Sequence, residues 1–190
     1  AALRRRTGSP FFVWEVTSGC NLNCSFCYNI WKGKEGHLPS ELPTFTMRTV
    51  ADELIAAYPA SVTLTGGEPL LRDDLEILAG CLTGGGVRTG VATNGLLLDG
   101  ARARSLKRSG VSWIEVSLPA ADRGIYEELT GGEGAGAARK AMLEVGKAGM
   151  RLTVSRLITS CSVMDIGDTV RMAHALGAEA LALNPFVPGG

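Results

Sequence analysis

Short β-type runs alternate with helical patterns along almost the whole chain, and this alternation constrains the fold more than any other feature. Alternation of that kind argues for parallel βα units. Strands are predicted over 11–16, 61–65, 88–93, 112–118, 151–158 and 180–186. Between them lie five helical patterns. The first spans 46–58, with Val50, Leu54, Ala57 and Tyr58 on its apolar stripe, and Pro59 ends it. The second starts after Asp73 as N-cap, carries Leu75, Leu78, Ala79 and Leu82 on one face, and stops at Gly84-Gly85-Gly86. Asp99 caps a third that ends near Gly110. The fourth carries Ala138, Ala141, Met142 and Val145 and stops at Gly149; the fifth spans 165–176, with Gly177 past its end. Right-handed crossovers wrap such strands toward a barrel. A closed barrel of this type needs eight strands, so six leave one side open.

Directly after the first strand comes Cys20-Asn21-Leu22-Asn23-Cys24-Ser25-Phe26-Cys27-Tyr28. Three thiolates so close in sequence can hold three corners of a cubane iron–sulfur cluster. Such clusters are normally held by four cysteines, so three imply one iron without a protein ligand. An open coordination position is the mark of a reactive metal site. Half of a zinc knuckle is the competing interpretation, but no CxxC or HxxxH pair follows, and His37 and His174 are isolated. The chain has 5 cysteines, an odd number, and shows no signal peptide, which argues against a disulfide framework.

With Phe26 just before the third cysteine, the spacing is CxxxCxΦC and resembles the radical S-adenosyl-L-methionine (SAM) superfamily. The resemblance implies a [4Fe–4S] cluster on Cys20, Cys24 and Cys27, with SAM chelated at the remaining iron. It implies reductive cleavage of SAM to methionine and a 5′-deoxyadenosyl radical that abstracts hydrogen from a substrate. The cofactors carry that chemistry and the protein orients them. The implied fold is α/β, an open (βα)6 partial TIM-type barrel of parallel strands covering nearly the whole chain. A low-potential electron donor, a flavodoxin or ferredoxin, is implied as partner.

In barrels, chemistry gathers at the C-terminal ends of the strands. Thr65-Gly66-Gly67-Glu68-Pro69 follows the second strand. Its glycines allow close backbone approach to a ligand, and Glu68 can accept a hydrogen bond from an ammonium group. The stretch matches the family's GGEP motif, intact at Gly66, Gly67, Glu68 and Pro69, which lines the SAM amino group. Thr93-Asn94-Gly95 closes the third strand; it is a common Asn-Gly turn, and the resemblance puts Asn94 near the SAM pocket. Strand alternation points Ile114, Val116 and Leu118 at the helices, and Glu115 and Ser117 into the barrel. The resemblance puts the SAM ribose near Ser117. Pro119 stands where the family often has an acid, which removes an acid-mediated contact there. Arg156 lies among apolar residues of the fifth strand. It is either a rim arginine reaching solvent or, as the resemblance implies, a partner for the SAM carboxylate. Asn184 and Val187, at the sixth strand's end, and Phe26 are expected near the adenine.

Two patterns carry no site. The 131–136 stretch, rich in glycine, does not fit GxGxxG and follows no strand, so it is read as a flexible lead-in to the fourth helix. Cys81 is a packing residue on a helix flank; Cys161 follows the fifth strand at the catalytic rim and is read as a small buried or rim thiol, with contact to substrate or a second cluster as the alternative.

Lys+Arg and Asp+Glu are both 19, a balance unlike the basic surface of a nucleic-acid-binding protein. The Arg4-Arg5-Arg6 run reads as a frayed end. No apolar run is long enough for a membrane span. Reduced cysteines fit a cytoplasmic setting. The 190 residues suit one core domain, 1–190, and the start on Ala1 and the Pro188-Gly189-Gly190 end lead to the expectation of a piece truncated at its C-terminus. TGGEPLLR with the NPFVP ending resembles the subgroup that modifies peptides or makes small-molecule cofactors and carries auxiliary clusters in a C-terminal extension. A non-catalytic Fe–S electron carrier or redox sensor, and a zinc-stabilised binding module, remain the rivals.

Overall fold

The computed structural model describes residues 9–29 and 41–186; Val187, His37 and the Arg4–Arg6 run lie outside them. Six strands pair in chain order into one parallel sheet: β1 (Phe11–Glu15), β2 (Ser61–Thr65), β3 (Thr89–Thr93), β4 (Trp113–Ser117), β5 (Arg151–Ile158) and β6 (Ala180–Pro185). Among the described residues β1 and β6 have one neighbour each, so the sheet is open, as the strand count requires. The helices are α1 (Thr44–Ala56), α2 (Leu75–Gly84), α3 (Gly100–Arg108), α4 (Arg123–Thr130), α5 (Ala135–Lys147) and α6 (Ile166–Ala175). Among the described residues no helix is long and apolar enough to cross a membrane.

The core lies between the outer face of the sheet and the helices. Val62, Leu64, Val91, Ile114, Val116 and Val154 are buried there against Leu78 and Leu82 of α2, Leu106 of α3 and Met142 of α5. Each such side chain, fully buried, stabilises the fold by about 1.5–3 kcal/mol. The inner face is wetter: Phe11 and Val13 of the edge strand β1 are 77% and 72% exposed. Near the start of β4 the Trp113 indole lies over Gly90; a Cβ there would stand 2.0 Å from the ring, so only glycine fits. The Arg88 guanidinium sits 5.8 Å from the centre of the same ring, within cation–π range.

Three elements differ from the sequence expectation. The buried positions of α1 are Met47 and Ala51, not the Tyr58 stripe; Tyr58 is exposed and takes a left-handed φ of 52° beyond the helix end. The N-cap of α2 is Asp74 rather than Asp73, and its carboxylate makes no cap bond, because Arg72 and Thr44 occupy it. The third is α4, an additional helix between β4 and α5. Asp122 caps it by accepting from the Ile125 N–H, and Gly131 ends it at φ 69°. The glycine-rich stretch ends α4 at Gly131 and runs through Gly134 into the first residues of α5.

Arg72 is the main clamp under the site. Its guanidinium forks onto Asp74 (both bonds 2.8 Å). It also donates to the Val16 carbonyl (3.1 Å), Glu41 Oε2 (2.5 Å) and the Leu42 carbonyl (3.2 Å). Hydrogen bonding by Arg72 holds the Asp74 carboxyl below its usual range. A depressed carboxylate contributes stability that is complete above its unfolded pKa and is lost as pH falls through the folded one. Arg72→Ala is expected to cost about 3–5 kcal/mol, the usual loss when one partner of a buried pair is removed. It should also flatten the acid limb of the stability curve below about pH 4; urea melts of both proteins across that range check it.

Candidate active site

The C-terminal ends of β1 to β4 open into a cleft of about 190 Å³. Cys20, Cys24 and Cys27 line it, opposite Gly66, Gly67 and Ser117. All three cysteines are half-buried and none is in a disulfide.

The glycine loop is shaped by its own chain. Val16, Gly67 and Glu68 donate their N–H groups to Thr65 (2.9 Å), Thr17 (2.8 Å) and Gly19 (2.7 Å), so the loop extends the β1–β2 ladder up to the residue before Cys20. Gly66 has φ 142°, and a Cβ there would meet the Thr17 carbonyl oxygen at 2.3 Å; on Gly67 it would meet that of Gly19 at 2.1 Å. Glycine is needed at both for backbone to pass backbone.

Glu68 does not line the cleft. It is 0% exposed and accepts from Thr93 Oγ1 (2.6 Å), Asn94 N–H (2.8 Å) and Leu70 N–H (3.1 Å). Burial pushes its carboxyl above the usual range, against the pull of those bonds. Its position is that of a staple between the loop and the end of β3, and Pro69 is buried beside it at the start of a short 3₁₀ turn. Glu68→Ala strands three buried donors. It should lower stability by at least ~2 kcal/mol and weaken SAM binding, while the visible absorbance of a reconstituted cluster persists.

Asn94 lines the cleft, but its side chain is already engaged. It donates to Asn21 Oδ1 (2.7 Å) and accepts from the Leu96 N–H (3.0 Å), tying the cysteine loop to β3. Phe26 and Pro119 also line the cleft. Asn184 lies outside it, donating to Ser155 Oγ (2.9 Å) on the inner face of β6.

Arg156 requires a correction. It shares strand parity with the buried Leu152 and Val154, so it points to the helices, not into the barrel. It is 0% exposed. Its guanidinium is held by Asp165, Thr169 Oγ1 and the Ser162 carbonyl. It is neither a rim arginine nor placed for a ligand carboxylate.

Two wall residues escaped the sequence reasoning, Tyr126 and Thr130, both on α4. The Ile125, Tyr126, Leu129 spacing between Asp122 and Gly131 is the signal that would have found the helix. Burial first, then the nearby Cys24 charge, pushes the Tyr126 phenol up to about 12. Tyr28 is likewise pushed up to about 12, by burial and then by its 2.9 Å bond to Glu15. Both phenols stay protonated at neutral pH.

The donor set suits a cluster. Among the described residues no three His, Cys, Asp or Glu side chains converge on one point, as a single ion would require. A cubane instead takes each thiolate on a different iron, and all three cysteines face the same cleft.

Comparison with known proteins gives the family. The sequence model described as the radical SAM superfamily matches residues 14–174. The chain belongs to the radical SAM superfamily. An AdoMet-dependent heme synthase of Methanosarcina barkeri is 32% identical over 187 residues, 97% of this chain and 53% of the relative. A probable GTP 3′,8-cyclase of Sulfurisphaera tokodaii is 32% identical over 177 residues, 92% and 55%. A PqqA peptide cyclase of Methylocella silvestris is 31% identical over 171 residues, 89% and 45%. This radical SAM chain thus spans about half the length of the curated relatives it matches. Among solved structures, Streptococcus suis SuiB bound to S-adenosylmethionine aligns with TM-score 0.83 at 19% identity, covering 95% of this chain and 42% of SuiB. That likeness establishes the open six-stranded half-barrel. Radical SAM proteins use a [4Fe–4S] cluster and SAM.

Proposed function

We propose that this chain is the SAM-cleaving core of an enzyme that abstracts hydrogen from a peptide or a small molecule. The observation that carries this is the meeting of three cysteines and the Gly66–Gly67 backbone across one cleft. Held there, a [4Fe–4S] cluster would pass one electron from an external reductant to SAM, whose cleavage would give methionine and a 5′-deoxyadenosyl radical.

Cys20, Cys24 and Cys27 would hold the cluster. Gly66 and Gly67 would present backbone polar groups to the SAM amino group, with Glu68 and Pro69 fixing their path. Ser117 offers its hydroxyl to the ribose, and Phe26 an apolar face to the adenine. The protonated Tyr28 and Tyr126 add no negative charge beside the thiolates.

An electron carrier would gain little from an open iron, and neither Cys81 nor Cys161 lines the cleft to complete a four-cysteine set. The relatives' names include both small-molecule and peptide enzymes, and both substrate classes stand for this chain. A flavodoxin or ferredoxin donor and a cytoplasmic setting complete the proposal. The test is anaerobic incubation of the reconstituted protein with SAM and dithionite. Formation of 5′-deoxyadenosine is expected; a full cluster that neither binds nor cleaves SAM would favour the carrier.

A further inference from the structure

α4 touches the cysteine loop at one end and a buried ion pair at the other. At its C-terminal end, the Thr130 carbonyl accepts from the Asn23 N–H (3.2 Å) and the Leu129 carbonyl from the Ser25 N–H (2.9 Å). Ser25 Oγ adds a bond to the same Leu129 oxygen (3.2 Å). Carbonyls in the last turn of a helix have no partner within it; here the cysteine loop supplies the donors. The contact is tight, since a Cβ on Gly131 would meet the Asn23 carbonyl oxygen at 2.8 Å.

At the other end, Asp165 Oδ2 accepts from the N–H groups of Ala121 (2.8 Å) and Asp122 (3.0 Å), which lead into the helix. Its Oδ1 pairs with Arg156, buried between β5 and α6. One carboxylate therefore joins β5, α6 and the entry to α4.

We infer that Asp165 is a positioning residue for the cluster ligands, acting through α4 as a strut on the cysteine loop. This rests on the radical SAM assignment of the cleft. The strut also has an electronic consequence. Hydrogen bonds to cluster sulfurs help set the reduction potential, and a donor there stabilises the added electron. α4 engages the Asn23 and Ser25 N–H groups, so while the strut holds, the loop would offer neither of them to a cluster sulfur.

The test compares reconstituted wild type with Asp165→Ala, Gly131→Ala and Leu106→Ala. The last truncates a core residue of α3 remote from the cleft and controls for lost stability. Measured are iron and sulfide per chain, the midpoint potential, and the spectrum of the reduced cluster with and without SAM. Asp165→Ala and Gly131→Ala are expected to give a less negative potential, an altered spectral response to SAM and roughly tenfold weaker SAM binding. Leu106→Ala should keep the wild-type potential and spectrum. Wild-type potential and spectrum in both strut variants would overturn the inference, as would equal shifts in Leu106→Ala. If Asp165→Ala does not fold, Gly131→Ala decides in the same way. A wild-type chain that takes up no cluster overturns the assignment of the cleft itself, and the inference with it.

Discussion

Gly67→Ala is expected to weaken SAM binding on the order of 100-fold. The added methyl carbon would lie 2.1 Å from the Gly19 carbonyl oxygen and 2.8 Å from that of Ser18. Both obstacles are backbone, so no rotamer change relieves them. The loop must lift away from residues 17–19 and give up the Gly67-to-Thr17 and Glu68-to-Gly19 bonds. Each lost buried bond costs about 1–3 kcal/mol, and 1.4 kcal/mol is tenfold in affinity. The same movement pulls on the residue before Cys20, so cluster content should fall as well. Titration of SAM into the reconstituted variant, with iron counted per chain, checks both. Unchanged affinity would mean that the loop does not hold the co-substrate.

Cys24→Ala should abolish cluster absorbance and 5′-deoxyadenosine formation together. Two thiolates would remain where three are proposed, and most such clusters take four. The substitution does not remove the loop's ties to α4, which are made by Asn23 and Ser25. The apo protein should therefore melt close to wild type, which separates loss of ligand from loss of fold. SAM cleavage persisting in this variant would end the proposed function.

The strand order was legible because short β-type runs stand clear of the helical patterns on either side; in residues 61–65 the apolar Val62 and Leu64 alternate with Ser61, Thr63 and Thr65. The cysteine loop and the glycine loop were legible because each is one continuous stretch. What stayed hidden depends on direction or distance. Arg156 was assigned to the cleft by resemblance, yet the parity that sorted Ile114 from Glu115 also sets it beside Leu152 and Val154 on the helix side. Glu68 looked like a ligand contact, but it accepts from nearby Leu70 and from Thr93 and Asn94 at the end of the next strand, and only the folded chain brings those two to it. α4 was missed because eight residues hold barely two turns of periodicity, and the glycines after it resembled a loop.

The tether between Ser25 and Leu129 joins residues 104 positions apart. Its consequence is one of timing during synthesis. The three thiols leave the ribosome about a hundred residues ahead of the carbonyls that fasten their loop. Contacts so distant form late in folding. A nascent chain therefore carries reactive sulfur well before it has a finished seat for iron, and metal delivery has to follow the emergence of α4.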